Sequence, residues 1–232
     1  MAKRNYSCAL ITGASNGIGR ALARELAFRS DRLVLVARRE ELLRDVALEL
    51  GKFCRVDFFA VDLADEHSLQ KFLQALEAAS IVPDLLVNNA GFGVYGSFLD
   101  TDSSRENEMV RLNIQALMVL SKWFVTAARR CGVRDAFILN VASVAGFVPG
   151  PFMAVYFATK AFVLSFSEAL NQELKGSGIR VLALCPGNTR SEFHHVAGSD
   201  RSRWMHRLSQ MEAKQVARAA IRQLEHGDTV YV

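Results

Sequence analysis

The chain has 232 residues, 50% of them hydrophobic and 22% charged, with 15 Gly; half of it can be buried, which excludes disorder, and near-average Gly excludes a collagen-like chain. Its 28 basic side chains exceed the 24 acidic ones only slightly and are scattered among acidic neighbours, so no nucleic-acid partner is expected. A chain of this length buries roughly 70–75% of its unfolded surface, and Cys8, Cys54, Cys131 and Cys185, with no CxxC pair and no His at ligand spacing, read as buried free thiols of a cytoplasmic protein with no metal.

In chain order, the first eight residues carry positive charge but lead only into the short apolar run Cys8–Ile11, too little for a signal peptide. That run is the first predicted strand. A helix follows near Gly17–Arg29, then strand Leu33–Ala37, helix Glu40–Leu50, strand Phe53–Val61 and helix Glu66–Ala79, which Asp65 caps. Strand Leu85–Val87 precedes a long helix Ser104–Arg130, capped by Ser103, and strand Ala136–Val141 precedes helix Met153–Lys175. Ala136–Thr159 is uncharged and long enough to cross a bilayer. However, Gly146, Pro149, Gly150 and Pro151 interrupt it, so it reads as strand, loop and helix start, and no membrane is expected. Strand Val181–Cys185, an irregular insert Asn188–Gln210, helix Ala213–Glu225 and strand Thr229–Val232 complete the chain. Continuous apolar strands alternating with helices predict the α/β class. The expected architecture is a Rossmann-type doubly wound parallel sheet of about seven strands with helices on both faces. With no repeat and no linker, residues 1–232 are expected to form one dinucleotide-binding and catalytic domain, with 188–210 as a substrate flap.

Thr12-Gly13-Ala14-Ser15-Asn16-Gly17-Ile18-Gly19 lies between the first strand and the first helix. Glycines there permit a tight turn against a pyrophosphate, which the helix N-terminus would bind. No Gly-Lys-Ser/Thr follows, so it is not a P-loop. Taken alone the pattern also fits an ordinary strand-to-helix turn. The second strand ends in Arg38-Arg39 with no acid before Glu40. A free ribose 2′-hydroxyl calls for Asp or Glu there and a 2′-phosphate for Arg, so the expected cofactor is NADP(H), not NAD(H).

Tyr156 and Lys160 stand four apart in a predicted helix and so share one face, with Cβ atoms about 5–6 Å apart. A neighbouring ammonium favours the phenolate and is expected to lower the pKa of Tyr156, which suits general acid–base work. Ser143 follows the strand Ala136–Val141, whose carboxyl end faces the ligand crevice of a doubly wound sheet, so its hydroxyl is placed to donate to a carbonyl oxygen. Each residue singly has an ordinary structural explanation. Together with the glycine turn they form an ordered set.

With Asn88-Asn89-Ala90-Gly91 and Pro186-Gly187 added to Thr12–Gly19, Ser143, Tyr156 and Lys160, the sequence resembles the short-chain dehydrogenase/reductase family over nearly its whole length. The resemblance implies an active site of Asn113, Ser143, Tyr156 and Lys160. In it, Tyr156 exchanges the proton on the substrate oxygen as hydride moves to or from the nicotinamide. Lys160 lowers the pKa of Tyr156 and binds the nicotinamide ribose, Ser143 orients the substrate oxygen, and Asn113 holds a water linking Lys160 to solvent. It further implies cofactor contacts from Gly13, Ser15, Asn16, Gly17, Ile18, Gly19, Arg38, Arg39, Asp62, Leu63, Asn89, Ala90, Gly91, Tyr156, Lys160, Pro186, Gly187, Thr189 and Ser191. Ser191 stands where the family has Thr, and Thr189 is polar where an apolar residue is common.

Expected substrate walls are Phe92, Gly93, Val94, Tyr95, Val144, Phe147, Val148, Pro149, Phe152 and Met153, below a flap Phe193–Leu208. Their character points to a small-molecule carbonyl or secondary alcohol with apolar bulk. Arg201, Arg203, Arg207, His194, His195 and His206 are expected on the surface. The first reading is an NADPH-dependent carbonyl reductase. The competitors are a 3-oxoacyl thioester reductase and a non-catalytic NADP(H)-binding sensor or scaffold, against which the intact four-residue set argues. A sugar-nucleotide epimerase would need another glycine spacing and a larger substrate domain. Apolar residues on more than one face of the two long helices, including Met118, Trp123, Phe124, Phe162, Val163 and Phe166, predict a homodimer or homotetramer.

Overall fold

The computed structural model describes residues 5–199, 210–226 and 229–232. Its strands are β1 (Ala9–Thr12), β2 (Arg32–Ala37), β3 (Arg55–Ala60), β4 (Leu85–Asn88), β5 (Ala136–Val141), β6 (Ile179–Leu184) and β9 (Val230–Tyr231), joined as one sheet in the order β3-β2-β1-β4-β5-β6-β9. All six pairings in that sheet are parallel. The two-residue strands β7 (Thr189–Arg190) and β8 (Met211–Glu212) pair separately.

Successive side chains of a strand point to opposite faces, and a run such as Leu33-Val34-Leu35-Val36-Ala37 therefore feeds two cores. Leu33, Leu35 and Ala37 pack with Leu22 and Leu26 of α1 (Gly17–Leu26), Leu43 and Val46 of α2 (Glu40–Leu50) and Ile221 and Leu224 of α8 (Ala213–His226). Val34 and Val36 pack on the other side with Phe72 and Leu76 of α3 (Glu66–Ala78) and Leu120 and Phe124 of α5 (Leu117–Arg130). The edge strand β3 is only half buried. Helix α6 (Ala154–Glu173) lies beside β6, with Val163 buried against Ala183 and Cys185.

Several local features differ from the sequence expectation. The stretch read as one helix from Ser104 to Arg130 is α4 (Ser103–Val110), a π-helical segment Arg111–Ala116 and α5. Asp102, not Ser103, is the cap, because its carboxylate accepts from the backbone N–H of Ser104 at 2.8 Å and from the Ser104 hydroxyl at 2.8 Å. The insert 188–210 contains β7 and the short helix α7 (Phe193–Ala197), and its residues 200–209 lie outside the described ones. Cys8 and Cys185 are buried as expected, but Cys54 is only partly covered and Cys131, at the solvent end of α5, is exposed. Phe124 and Val163 are fully buried within the chain, whereas Met118 is 44% exposed. Among the described residues, no helix is long and apolar enough to cross a membrane. The uncharged stretch from Ala136 is strand β5, a 3-10 turn Val144–Phe147 and the start of α6.

Candidate functional site

The sheet order reverses between β1 and β4, and the carboxyl ends of strands at such a reversal form the ligand crevice of an open α/β sheet. Thr12, buried at the end of β1, ties the turn to the segment after β4. Its hydroxyl accepts from the backbone N–H groups of Asn89 and Ala90, each at 3.0 Å, while the Asn89 amide donates to the Thr12 carbonyl at 2.9 Å. In the sequence Thr12 is only the first residue of the glycine turn. Asn16 caps α1 by accepting from Gly17 N–H at 2.6 Å. Gly17 itself has φ +54, a left-handed value that favours glycine. Gly19 does not line the crevice as expected: a Cβ on it would lie 2.2 Å from the Gly13 carbonyl oxygen, so its part is to let α1 pack on the turn.

At the far end of the crevice Ser143 leaves β5 in an extended conformation, and its hydroxyl accepts from Ala145 N–H at 3.1 Å. Tyr156 and Lys160 occupy one face of α6, and both are buried. Lys160 donates through Nζ to the Val141 carbonyl at 2.8 Å and lies 5.9 Å from the centre of the Tyr156 ring. Burial pushes the Tyr156 phenol up to about 12, opposed by the Ser143 hydroxyl, and pushes the Lys160 ammonium down to about 8. The expected lowering of the Tyr156 pKa by Lys160 is therefore not what the structure has. Desolvation disfavours both charged forms, and Lys160 is committed to a carbonyl.

Asn113 sits in the π-helical segment, buried behind these residues and off the crevice wall. Its side chain accepts from Phe92 N–H at 3.1 Å and donates to the Phe92 carbonyl at 2.9 Å and to the Thr159 hydroxyl at 3.1 Å. Thr159 in turn donates to the Tyr156 carbonyl at 2.7 Å. This bridge between the π-helix and the Tyr156 turn of α6 went unseen in sequence, where Thr159 is only the residue before Lys160. Further below, Asn88 donates to Asn140 at 2.9 Å and Asn140 to Ser167 at 2.9 Å, all buried, which ties β4, β5 and α6 together.

One cavity of about 990 Å³ runs from the glycine turn to these side chains. It is lined by every expected cofactor contact except Gly19 and by Ser143, Tyr156 and Lys160. Asp62 is partly committed, accepting from Ala64 N–H at 2.9 Å. Arg38 and Arg39 lie at one end, paired with Glu108 at 2.9 Å and Glu192 at 2.7 Å. Nothing local in the sequence signals these two acids. At the other end the walls include Phe92, Tyr95, Val144, Val148, Pro149, Phe152 and Met153 as expected, with Phe193 and Val196 from the expected flap and Phe157 added, while Gly93, Val94 and Phe147 are not on the wall. Phe152 has φ +65 in the turn Gly150–Met153 and is 58% exposed. His194 is not a plain surface residue: it lines the cavity, with its ring nitrogens against Asn188 at 2.5 Å and Ser199 at 2.9 Å. Arg201, Arg203, Arg207 and His206 lie outside the described residues. A tight turn opening a capped helix and a long trough fit a dinucleotide, with a proton-bearing phenol and ammonium where its reactive ring would lie.

The short chain dehydrogenase family model matches residues 7–202. The chain is 37% identical over 195 residues to sulfoacetaldehyde reductase 2 of Chromohalobacter salexigens, covering 83% of this chain and 77% of that protein. A short-chain dehydrogenase from Sphingobium yanoikuyae in complex with NADPH superposes with a TM-score of 0.88 at 35% identity, over 97% of this chain and 86% of that one. The bulky-bulky ketone specific alcohol dehydrogenase from Comamonas testosteroni superposes with a TM-score of 0.83 at 33% identity, over 97% and 85%.

Proposed function

The chain belongs to the short-chain dehydrogenase family of oxidoreductases, and from that membership we propose that it is an NADPH-dependent reductase of ketones or aldehydes with apolar bulk. The observation that carries this reading is the meeting of Ser143, Tyr156 and Lys160 on the cavity that also holds Arg38 and Arg39. The glycine turn Gly13–Ile18 with Asn89, Ala90, Gly91 and Ser191 would hold the dinucleotide, assisted by Asp62 and Leu63 beside the adenine and by Pro186, Gly187 and Thr189. Arg38 and Arg39 would take the 2′-phosphate, and Tyr156 and Lys160 the nicotinamide ribose. When bound, NADPH supplies the hydride that reaches the carbonyl carbon.

Tyr156 gives its proton to the carbonyl oxygen in the same step. A phenol pushed up to about 12 is protonated at neutral pH, which suits the acid that reduction needs. Ser143 donates to the same oxygen and orients it. Lys160 keeps a cation beside the phenol, and a water on the Asn113 side would return a proton to it. Asn113 acts as a positioning residue through Phe92 and Thr159. Aromatic and aliphatic walls from Phe92, Tyr95, Val148, Phe152 and Phe193 support an apolar substrate, as does the bulky-ketone enzyme among the similar structures. The described part of the expected flap, residues 188–199, is proposed to border that end of a single domain, and the exposed parts of α5 and α6 are proposed as a surface for a homo-oligomer.

NADPH consumption, followed by absorbance over a panel of bulky ketones, small aldehydes, sulfonated aldehydes and acyl thioesters, tests the reading. Turnover concentrated on the bulky ketones supports it. Turnover confined to thioesters or to sulfoacetaldehyde overturns the substrate class.

A further inference from the structure

Arg39 and Glu192 are 153 positions apart in the chain, yet Arg39 Nη2 and Glu192 Oε2 meet at 2.7 Å on the wall of the cavity. The contact is built from several sides. Arg39 and the Asn16 side chain hold the Glu192 carboxyl below the usual carboxylate range. The preceding residue, Ser191, lies over the glycine turn, 3.1 Å from where a Cβ on Gly17 would be, and Ser191 Oγ accepts from Phe193 N–H at 3.2 Å. The Glu192 carbonyl accepts from Val196 N–H at 2.9 Å, and the next ring, Phe193, stands 5.1 Å from Tyr156. The acid is thus fixed at the start of α7, against the guanidinium that a 2′-phosphate would need. Its neighbour Arg38 faces Glu108, whose other oxygen Arg105 holds at 2.5 Å.

We infer that Glu192 tunes coenzyme choice by competing with the 2′-phosphate for Arg39, so that NADPH must displace the carboxylate whereas NADH leaves the pair intact. The inference rests on the reading of Arg39 as the 2′-phosphate residue. Arg39 and Glu192 are about half exposed, 51% and 48%, and a pair of this kind is weak enough to be exchanged for a doubly charged phosphate. Glu192 therefore opposes NADPH through Arg39 and NADH hardly at all.

The test is direct titration of NADPH and of NADH by the fluorescence of the reduced nicotinamide, on the unaltered protein, Glu192→Gln, Arg39→Ala and the double variant, with thermal melts to check folding. Glu192→Gln is expected to tighten NADPH about 3–10-fold and to move NADH less than about twofold. The double variant is expected to match Arg39→Ala, because the gain needs the guanidinium. Unchanged NADPH affinity in Glu192→Gln, equal tightening of both coenzymes, or a gain that survives without Arg39 would overturn the inference. An unaltered protein that binds NADH as tightly as NADPH refutes the cofactor reading alone. A raised NADPH-to-NADH ratio in Glu192→Gln would still support the competition.

Discussion

Tyr156 and Lys160 at one end of the cavity are buried, with Lys160 held by a 2.8 Å hydrogen bond to the Val141 carbonyl, whereas Arg38 and Arg39 at the other end are about half exposed, 49% and 51%, and held by ion pairs. The first end rests on Val141, Thr159 and Asn113, and through β5 on the buried chain Asn88–Asn140–Ser167. The second rests on Glu108 and Glu192, which reach in from distant parts of the chain. Buried hydrogen-bonded groups are expensive to leave unsatisfied, while exposed ion pairs exchange at little cost. On the proposed reading the catalytic end is set before any ligand arrives, and coenzyme choice would be settled by exchanging one anion for another.

That contrast breaks most visibly at Lys160. Replacing Lys160 with Met is expected to lower kcat/KM for ketone reduction by about 10²–10³-fold, with a loss in added salt no larger than in the unaltered protein. A strongly salt-dependent loss would move Lys160 to the exchangeable class. The milder Lys160→Arg should alter the pH profile. Burial lowers the Lys160 pKa to about 8 and raises that of Tyr156 to about 12. Between these values Lys160 is losing its proton while Tyr156 keeps its own. Reduction should therefore hold below about pH 8 and fall above it in the unaltered protein, and stay level to higher pH with Arg at 160. A fall at the same pH in both would exclude Lys160 as the titrating group.

Asn140→Leu probes the support beneath that end. Asn140 is fully buried and both accepts from Asn88 and donates to Ser167, so the substitution removes one partner from each, leaves Asn88 its bond to Ser121 and Ser167 its bond to the Val163 carbonyl, and should destabilise the fold by about 1–3 kcal/mol. Urea unfolding measures this, and a loss under about 0.5 kcal/mol would show that the chain is not structural. At the exchangeable end, Arg39→Ala is expected to weaken NADPH by about tenfold, since it removes one charge-assisted contact and one ion pair already present. Raising the salt concentration should shrink that difference. The smallest effect is expected at Phe152→Gly: relief of φ +65 should stabilise the fold by about 0.5–1 kcal/mol. A higher KM for bulky ketones should accompany it. Destabilisation would mean that the Phe152 ring packs more than its exposure suggests.

The same contrast explains what the sequence made legible. Strands buried on both faces write themselves as apolar runs such as Leu33–Ala37 and Ala136–Val141, and the parallel doubly wound sheet follows from their alternation with helices. The glycine turn and the spacing of Tyr156 and Lys160 are local patterns, and the cavity brings them together with Ser143. What stayed hidden depends on tertiary placement. The π-helical segment at Arg111–Ala116 has the same periodicity in sequence as the helix on either side. Thr12 and Thr159 act through hydroxyls that any buried Thr offers. Glu108 and Glu192 face Arg38 and Arg39 only because the fold brings α4 and the residue before α7 to the end of β2, and the high pKa of Tyr156 follows from burial, which spacing alone does not reveal.

The most direct measurement compares turnover and coenzyme binding in Tyr156→Phe, using the ketone that the unaltered protein reduces fastest. The substitution removes the phenolic proton and leaves the ring that packs beside Phe157 and Phe193. NADPH consumption should fall by about 10²–10⁴-fold while the Kd for NADPH stays within about twofold of the unaltered value. Turnover that persists in Tyr156→Phe, with NADPH still bound, would contradict the assignment of Tyr156 as the proton donor.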